Sequence, residues 1–343
     1  MTFIGKGPKD VMKIKDYKPG MKIKSGMAIR NMPSEVYHKH PALSNSGLKT
    51  LLDCPYRYFY KYLSGAYTQK ETPALKIGKA AHCYILEGSD EFHRRYYVNR
   101  YSKCLKADMV TFLMARGYKE DIKKLRVDEL TEMLLTDDGI NLEGTELSQN
   151  EWEQVGLLAR AIIQNPLAYN AFKQKGESEI SLFWEDKETG VMLKCRPDWL
   201  PYDLKNIPDY KTCCSVQPVT FAKDFIKYGY HIQAAFYAMG IKEVFGAEVE
   251  NFFFVAQEKE EPNISQVFLP DSSLIEQGYK AIRNGIHKLI DCNTTGFWDT
   301  YSSEVIEISL APKPDDLPNY YDKASSVVYL PMWIDSEFAK YEG

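Results

Sequence analysis

The pattern of apolar and polar residues along the chain predicts helices first, then strands, then a mixture of the two. Apolar residues repeat with helical spacing in five segments, near residues 44–63, 75–95, 148–173, 220–243 and 272–292. Runs typical of strands lie near residues 178–185, 191–200, 206–213, 251–256 and 266–269. This order predicts an α/β fold with a mixed central sheet flanked by helices.

Cap and turn residues refine these boundaries. Ser44, Asn45 and Ser46 form an N-cap cluster at the start of the first helix, and Pro55 should break or kink that helix. The turn residues 186–190 separate two strand-like runs and predict a hairpin between them. We expect the strands near 178–185, 191–200 and 206–213 to form one sheet.

Three charged residues in these strands form a candidate metal site. Asp198 follows Arg196 and Pro197, and Asp209 lies two positions before Lys211. Side chains of a strand alternate between faces, so Asp209 and Lys211 should face the same side at roughly 7 Å, and an adjacent strand could bring Asp198 alongside. Such carboxylates suit a divalent cation that activates water for attack on a phosphodiester. The alternative is an ordinary solvated surface.

His82, Gln233 and Tyr237 add to this interpretation. His82 lies on or beside the apolar face of a predicted helix, where it could supply an imidazole ligand or form a hydrogen bond within the core. Gln233 and Tyr237 are four residues apart and share a helix face, so they could contact phosphate or base together. The aromatic residues of this helix could equally belong to the core.

In this order, the motifs resemble the RecB-type branch of the PD-(D/E)xK nucleases, and more closely the nuclease domain of exodeoxyribonuclease VIII (RecE) of phages and prophages. The likeness covers about residues 35–270, and its main motifs are Gly78 to His82, Arg196 to Asp198, Asp209 to Lys211 and Gln233 to Tyr237. It implies a restriction-endonuclease-like core with a helical insertion.

The same resemblance implies a DNA exonuclease that depends on Mg²⁺, with Mn²⁺ also possible. Such an enzyme degrades the 5′-ended strand of linear double-stranded DNA and leaves 3′ overhangs for recombination by strand annealing. The partners implied are linear duplex DNA, a RecT-like phage annealing protein, and further copies of the chain in a ring. We expect a tetramer.

The resemblance also assigns roles to individual residues. It implies the metal ligands His82, Asp198 and Asp209, the catalytic lysine Lys211, and the supporting pair Gln233 and Tyr237. Glu179 opens a strand-like run, where its carboxylate could reach the metal or a metal-bound water, or remain a solvated strand end.

Composition and charge narrow the class of protein. The 343 residues are 44% hydrophobic, and the chain has neither an apolar run that could cross a membrane nor a secretory signal after Met1. We therefore expect a cytoplasmic protein of a bacterium or a phage-infected cell. The net charge of −4 excludes a uniformly basic nucleic-acid binder but permits a local basic channel. The seven cysteines suggest reduced thiols.

The chain is expected to divide into a flexible lysine-rich leader over 1–30, a nuclease domain over 31–298 and a C-terminal docking tail over 299–343. Residues 102–148 form a charged helical insertion that either covers the core or faces DNA, and 329–334 look like a docking segment. Two alternatives to an exonuclease stay open: an endonuclease of the same fold, or a catalytically inactive DNA-binding or assembly module.

Overall fold

The computed structural model describes residues 13–68, 72–302, 305–309, 321–322 and 327–329. The chain forms two compact units. Of the described residues, those within 1–45 and 69–282 form the first unit, and those within 46–68 and 283–343 form the second. Apart from its first residue, the docking segment predicted at 329–334 lies outside the described residues.

Fifteen short strands occur in the described part of the chain. They are β1 (Ile14–Asp16), β2 (Met27–Arg30), β3 (Leu43–Ser44), β4 (Tyr96–Val98), β5 (Thr145–Leu147), β6 (Gly176–Ser178), β7 (Ser181–Glu185), β8 (Met192–Cys195), β9 (Trp199–Pro201), β10 (Asn206–Cys213), β11 (Asn251–Glu258), β12 (Ser265–Phe268), β13 (Glu307–Ser309), β14 (Tyr321–Asp322) and β15 (Val327–Tyr329).

The α-helices of the described residues are α1 (Ser34–Lys39), α2 (Asn45–Asp53), α3 (Pro55–Tyr58), α4 (Pro73–His82), α5 (Ser89–Arg95), α6 (Lys106–Ala115), α7 (Val127–Asp137), α8 (Gln149–Gln164), α9 (Pro166–Lys173), α10 (Pro218–Lys227), α11 (Tyr230–Phe245) and α12 (Ser272–Thr295). The first predicted helix breaks at Pro55, as expected, because proline has no N–H to continue the helical ladder. None of these helices combines the length and apolar character needed to cross a membrane.

The first unit is a mixed α/β fold, as predicted. One sheet has the order β1-β2-β7-β8-β3, and a second has the order β10-β11-β12. Strands β10 and β11 are parallel, whereas β12 runs antiparallel to β11. Helix α11 packs on β7 and β8, where a Cβ on Gly240 would lie 2.7 Å from the Trp184 ring. Only glycine allows this close approach of helix and sheet.

The prediction of a flexible leader over 1–30 is wrong for residues 14–30. Strand β2 pairs antiparallel with β7, and its Ala28 and Ile29 are buried. Tyr17 and Ile23 pack against the same core cluster. Lysines interrupt the apolar pattern of this segment in the sequence, but its apolar residues are numerous enough to hold it in the sheet.

The three strands expected to form one sheet are divided among three sheets, which hold β7 with β8, β6 with β9, and β10. The predicted hairpin is present, with β7 and β8 antiparallel. Its ladder stops before Pro197 and resumes where β6 pairs with β9, while β10 belongs to the second sheet. Proline cannot donate to a strand ladder, so the interruption falls at Pro197.

The segment 220–243, expected to be one helix, forms two. Helix α10 ends before Tyr228, and Gly229 adopts the left-handed conformation with φ +62° before α11 begins. The expected insertion over 102–148 is helical, with α6 and α7 packed through Met109, Leu113 and Leu130 around a cluster of their own.

Candidate active site

Strand β10 places Asp209 and Lys211 on one side, as their spacing predicted. Asp209 is only 1% exposed, and its Oδ2 forms an ion pair with Nζ of Lys211. Its Oδ1 accepts a hydrogen bond of 2.6 Å from Nε2 of Gln233, which lies in the first turn of α11. Lys211 Nζ also lies 5.5 Å from the centre of the Tyr230 ring. The Asp209 carboxylate is therefore held by an ion pair with Lys211 of the same strand and by a hydrogen bond from Gln233 of α11.

Asp198 lies where the hairpin ladder is interrupted. The backbone N–H of Tyr210 in β10 donates to its Oδ2 at 2.8 Å. The strand that carries Asp209 and Lys211 therefore also positions the Asp198 carboxylate. Its Oδ1 lies 3.0 Å from Nε2 of His82. Asp198 thus joins β10 to α4, whose last residue is His82.

Glu179 lies opposite Asp198 across the same interruption. Its backbone has φ +56°, a left-handed conformation that is costly for a residue with a Cβ, and its N–H donates to the carbonyl of Asp198 at 3.3 Å. Its Oε1 is 3.5 Å from Nε2 of His82, and its Oε2 is 3.7 Å from Nη1 of Arg196. This strained backbone turns the Glu179 carboxylate towards the histidine.

The charges of these groups shift one another's pKa values. Burial lowers the pKa of His82, but the charge and hydrogen bond of Asp198 raise it by more, to about 9. Burial tends to raise the pKa of Asp198, and His82 outweighs this and lowers it.

Two other carboxyl groups keep their protons more tightly than usual. Burial raises the pKa of Glu179 to about 7, although the charge of His82 opposes the rise. Burial and the charge of Asp198 raise the pKa of Asp209 to about 7, despite the opposing charge of Lys211. Without a cation the site therefore retains protons that a cation would displace.

The donor set fits a divalent metal ion. One ligand atom each from His82, Glu179 and Asp198 lie within 4.8 Å of one another, which is close enough to share an ion. Oδ2 of Asp209 is buried and, within the described residues, accepts no well-directed hydrogen bond in addition to its ion pair. Carboxylates and one imidazole suit Mg²⁺ or Mn²⁺. The ligand roles predicted for these residues stay predictions.

The structure brings the predicted site residues together, Tyr237 included, since the charges of Asp209 and Asp198 add to burial in shifting its pKa. Gln233 contacts Asp209, whereas Tyr237, one turn along α11, has its ring 5.9 Å from that of Phe252 in an edge-to-face contact. Burial raises the pKa of Tyr237 well above its usual range. Its expected contact with substrate stays a prediction.

Two residues near the site were missed by the sequence-based assignment of roles. Arg196, named from sequence as part of the motif that ends at Asp198, stacks on the Tyr37 ring at 4.2 Å and faces Glu179. Tyr230, treated as a core aromatic, lies beside Lys211. A signal was available for Tyr230, because it precedes Gln233 by three residues and therefore shares its helix face.

The site opens into a cleft of about 1520 Å³ within the first unit. His82, Glu179 and Lys211 line it together with cationic residues of α4 and α5, among them Lys76, Lys79, Arg94 and Arg95. A cleft of this size admits an extended polymer rather than a small metabolite alone.

Comparison with protein families finds a match over residues 44–309 to a PDDEXK-like domain of unknown function (DUF3799). Among solved structures, the chain is similar to a candidate exonuclease from Eubacterium rectale, with a TM-score of 0.54 and 18% sequence identity. That match covers 82% of this chain and 90% of the other. At this identity the likeness shows a shared fold. A comparison with curated proteins finds no match.

Proposed function

We propose, from the premise that the chain belongs to the family of PDDEXK-like domains of unknown function (DUF3799), that it is a metal-dependent nuclease acting on DNA. The observation that carries this proposal is the convergence of His82, Glu179 and Asp198 beside the Asp209–Lys211 pair at an open cleft. Carboxylates, an imidazole and an amine at one point can together hold a cation and stabilise the transition state of phosphodiester hydrolysis.

The cation would be held by His82 and Asp198, with Glu179 and the buried Asp209 as further oxygen donors. When bound, a divalent cation withdraws electron density from the phosphate and lowers the pKa of the attacking water. We favour Mg²⁺, with Mn²⁺ as the alternative, because three of the four donor groups are carboxylates.

The other residues hold the carboxylates in position and supply a positive charge. Lys211 places an ammonium next to the carboxylates, where it can stabilise the negative charge that develops on the phosphate in the transition state. Gln233 of α11 fixes Asp209, and the backbone N–H of Tyr210 in β10 fixes Asp198. Fixed ligands lower the reorganisation needed during the reaction.

The finer proposal is an exonuclease of the RecE type, which degrades the 5′-ended strand of linear duplex DNA and leaves 3′ overhangs for recombination by annealing. Support for it comes from the motif resemblance and from the similarity in fold to the candidate exonuclease. The proposal includes a RecT-like annealing partner, a homo-oligomer for which we expect four copies, and a cytoplasmic location where the DNA substrate would be.

Digestion of a linear duplex labelled separately at each 5′ and 3′ terminus, with and without Mg²⁺, tests this function. The expected result is Mg²⁺-dependent release of nucleotides from the 5′ end only, and no cutting of covalently closed circles. Nicking of closed circles would favour the endonuclease of the same fold. Binding of DNA with no hydrolysis in Mg²⁺ or Mn²⁺ would leave an inactive DNA-binding module.

Replacing Lys211 with alanine should abolish hydrolysis and leave DNA binding in place. An unchanged rate in this variant would reject the role proposed for the lysine.

A further inference from the structure

One wall of the cleft is formed by a single face of helix α4. Gly78, Lys79 and His82 fall within about 100° of one another around the helix axis, so they share one face of α4. All three line the cleft, as does Lys76 nearly one turn before Lys79. His82 belongs to the candidate site, so this face of α4 begins at the site and extends from it towards the start of the helix.

Gly78 has no packing reason to be glycine. A Cβ built at this position would lie 3.6 Å from Oγ1 of Thr212, an ordinary van der Waals distance. Glycine is less favourable than alanine within a helix, and Gly78 has no positive φ that would require it. Its bare backbone instead faces the cleft, where the absence of a side chain leaves room for a ligand to approach closely.

Of the two lysines, Lys79 is placed to meet a phosphate. At a rise of about 1.5 Å per residue, it lies about 4.5 Å along the helix from His82, so its long side chain can reach a phosphate next to one held at the candidate site. Nζ of Lys76 is already paired with Oε2 of Glu151 at 2.7 Å and donates to the backbone carbonyl of Glu146 at 3.3 Å, so its charge is balanced within the protein.

We propose that this face of α4, from Gly78 to His82, binds the phosphodiester backbone of the DNA strand next to the candidate site. Lys79 contacts a phosphate, and Gly78 allows the sugar-phosphate chain to lie against the helix backbone. The identity of the ligand as DNA rests on the proposed nuclease function, and the placement of the binding face rests on the helix itself.

The test is equilibrium binding of a 30-base-pair, end-labelled duplex in calcium chloride, followed by fluorescence anisotropy across a series of salt concentrations, under conditions in which no product forms. The variants are Lys79→Gln and Gly78→Ala. Lys280→Gln is the matched lysine control, since Lys280 is exposed on α12 and forms an ion pair outside the cleft. Gly156→Ala is the matched glycine control, because a Cβ there meets nothing within 4 Å.

Lys79→Gln should weaken binding roughly eightfold at 0.1 M salt and lower the slope of log affinity against log salt by about 0.9, the effect of one lost phosphate contact. Gly78→Ala and Gly156→Ala should both raise Tm by roughly 1 to 3 °C, because alanine favours the helix. Only Gly78→Ala should weaken binding.

Equal affinity of either cleft variant and its matched control would overturn the inference. So would a lower Tm for Gly78→Ala, because the glycine would then serve packing. If the wild-type protein shows no salt-dependent binding, the proposed function fails as well. If the wild type binds and the cleft variants bind equally well, the nuclease proposal stands and only the DNA-binding role of this face of α4 is rejected.

Discussion

Replacing Gln233 with leucine tests how the buried carboxylate of Asp209 is held. Gln233 is 5% exposed and donates to Oδ1 of Asp209 at 2.6 Å. Leucine fills a similar volume without a donor, so only Lys211 would remain to compensate the carboxylate. A hydrogen bond to a charged group contributes roughly 1.5–3 kcal/mol, which corresponds to a rate loss of roughly 10- to 150-fold if the reaction requires the charged form.

The loss should also depend on pH. Burial and Asp198 already raise the pKa of Asp209 to about 7. Removing a hydrogen bond to the charged form raises this pKa further, so less of the carboxylate is ionised at low pH. The defect of Gln233→Leu should therefore be larger at pH 6 than at pH 9.

Single-turnover hydrolysis of an end-labelled duplex across this pH range measures both effects, with Gln266→Leu on the exposed side of β12 as the control. A Gln233→Leu rate within twofold of wild type at pH 7 would refute the argument. A loss of equal size at every pH would show that the amide acts through something other than the charge of Asp209.

Three further predictions concern stability. Burial and the charge of Arg196 lower the pKa of Lys194 to about 8, so the unfolded chain binds more protons between pH 8 and 10.5. The difference in free energy of unfolding between wild type and Lys194→Met should thus rise with pH across this window, by an amount on the order of 3 kcal/mol, in denaturant titrations; a constant difference would contradict it. Saturating Mn²⁺, at about 100 times its Kd, should stabilise the protein by about 2.7 kcal/mol in thermal melts, and Asp198→Asn should abolish the shift. Gly229→Ala should destabilise by about 1–2 kcal/mol because φ there is +62°, and an unchanged Tm would show that the turn relaxes.

The local elements that depend on short-range pattern were predictable from sequence. Strand β10 and the hairpin of β7 and β8 follow from their strand-like apolar runs and from the turn at 186–190. The facing of Asp209 and Lys211 follows from the period of a strand. In each of these cases the residues that determine the structure are neighbours in the chain.

Features that depend on distant partners were not predictable in the same way. The segment 14–30 looked like a leader because lysines, glycines and a proline interrupt its apolar residues, yet β2 pairs with β7 more than 150 residues later. The division of the expected sheet depends on which strand pairs with β10, and that strand is β11. Pairing of this kind is decided by burial of the whole face.

Within the site, the approximate membership was predictable and the contacts were not. The motifs pointed to His82, Asp198 and Asp209, but nothing local indicated that Glu179 would adopt φ +56° and turn towards His82. The pairing of Arg196 with Glu179 similarly depends on the hairpin bringing both to the point where its ladder is interrupted.

The central claim is that an imidazole and carboxylates from separate elements hold one cation beside an amine. Pulsed electron paramagnetic resonance of bound Mn²⁺ tests it most directly, because a coordinated histidine nitrogen produces a hyperfine coupling to the metal. We predict one Mn²⁺ per chain with a nitrogen coupling that disappears in His82→Ala. Mn²⁺ bound without that coupling, or bound equally well after Asp198→Asn, would contradict the account.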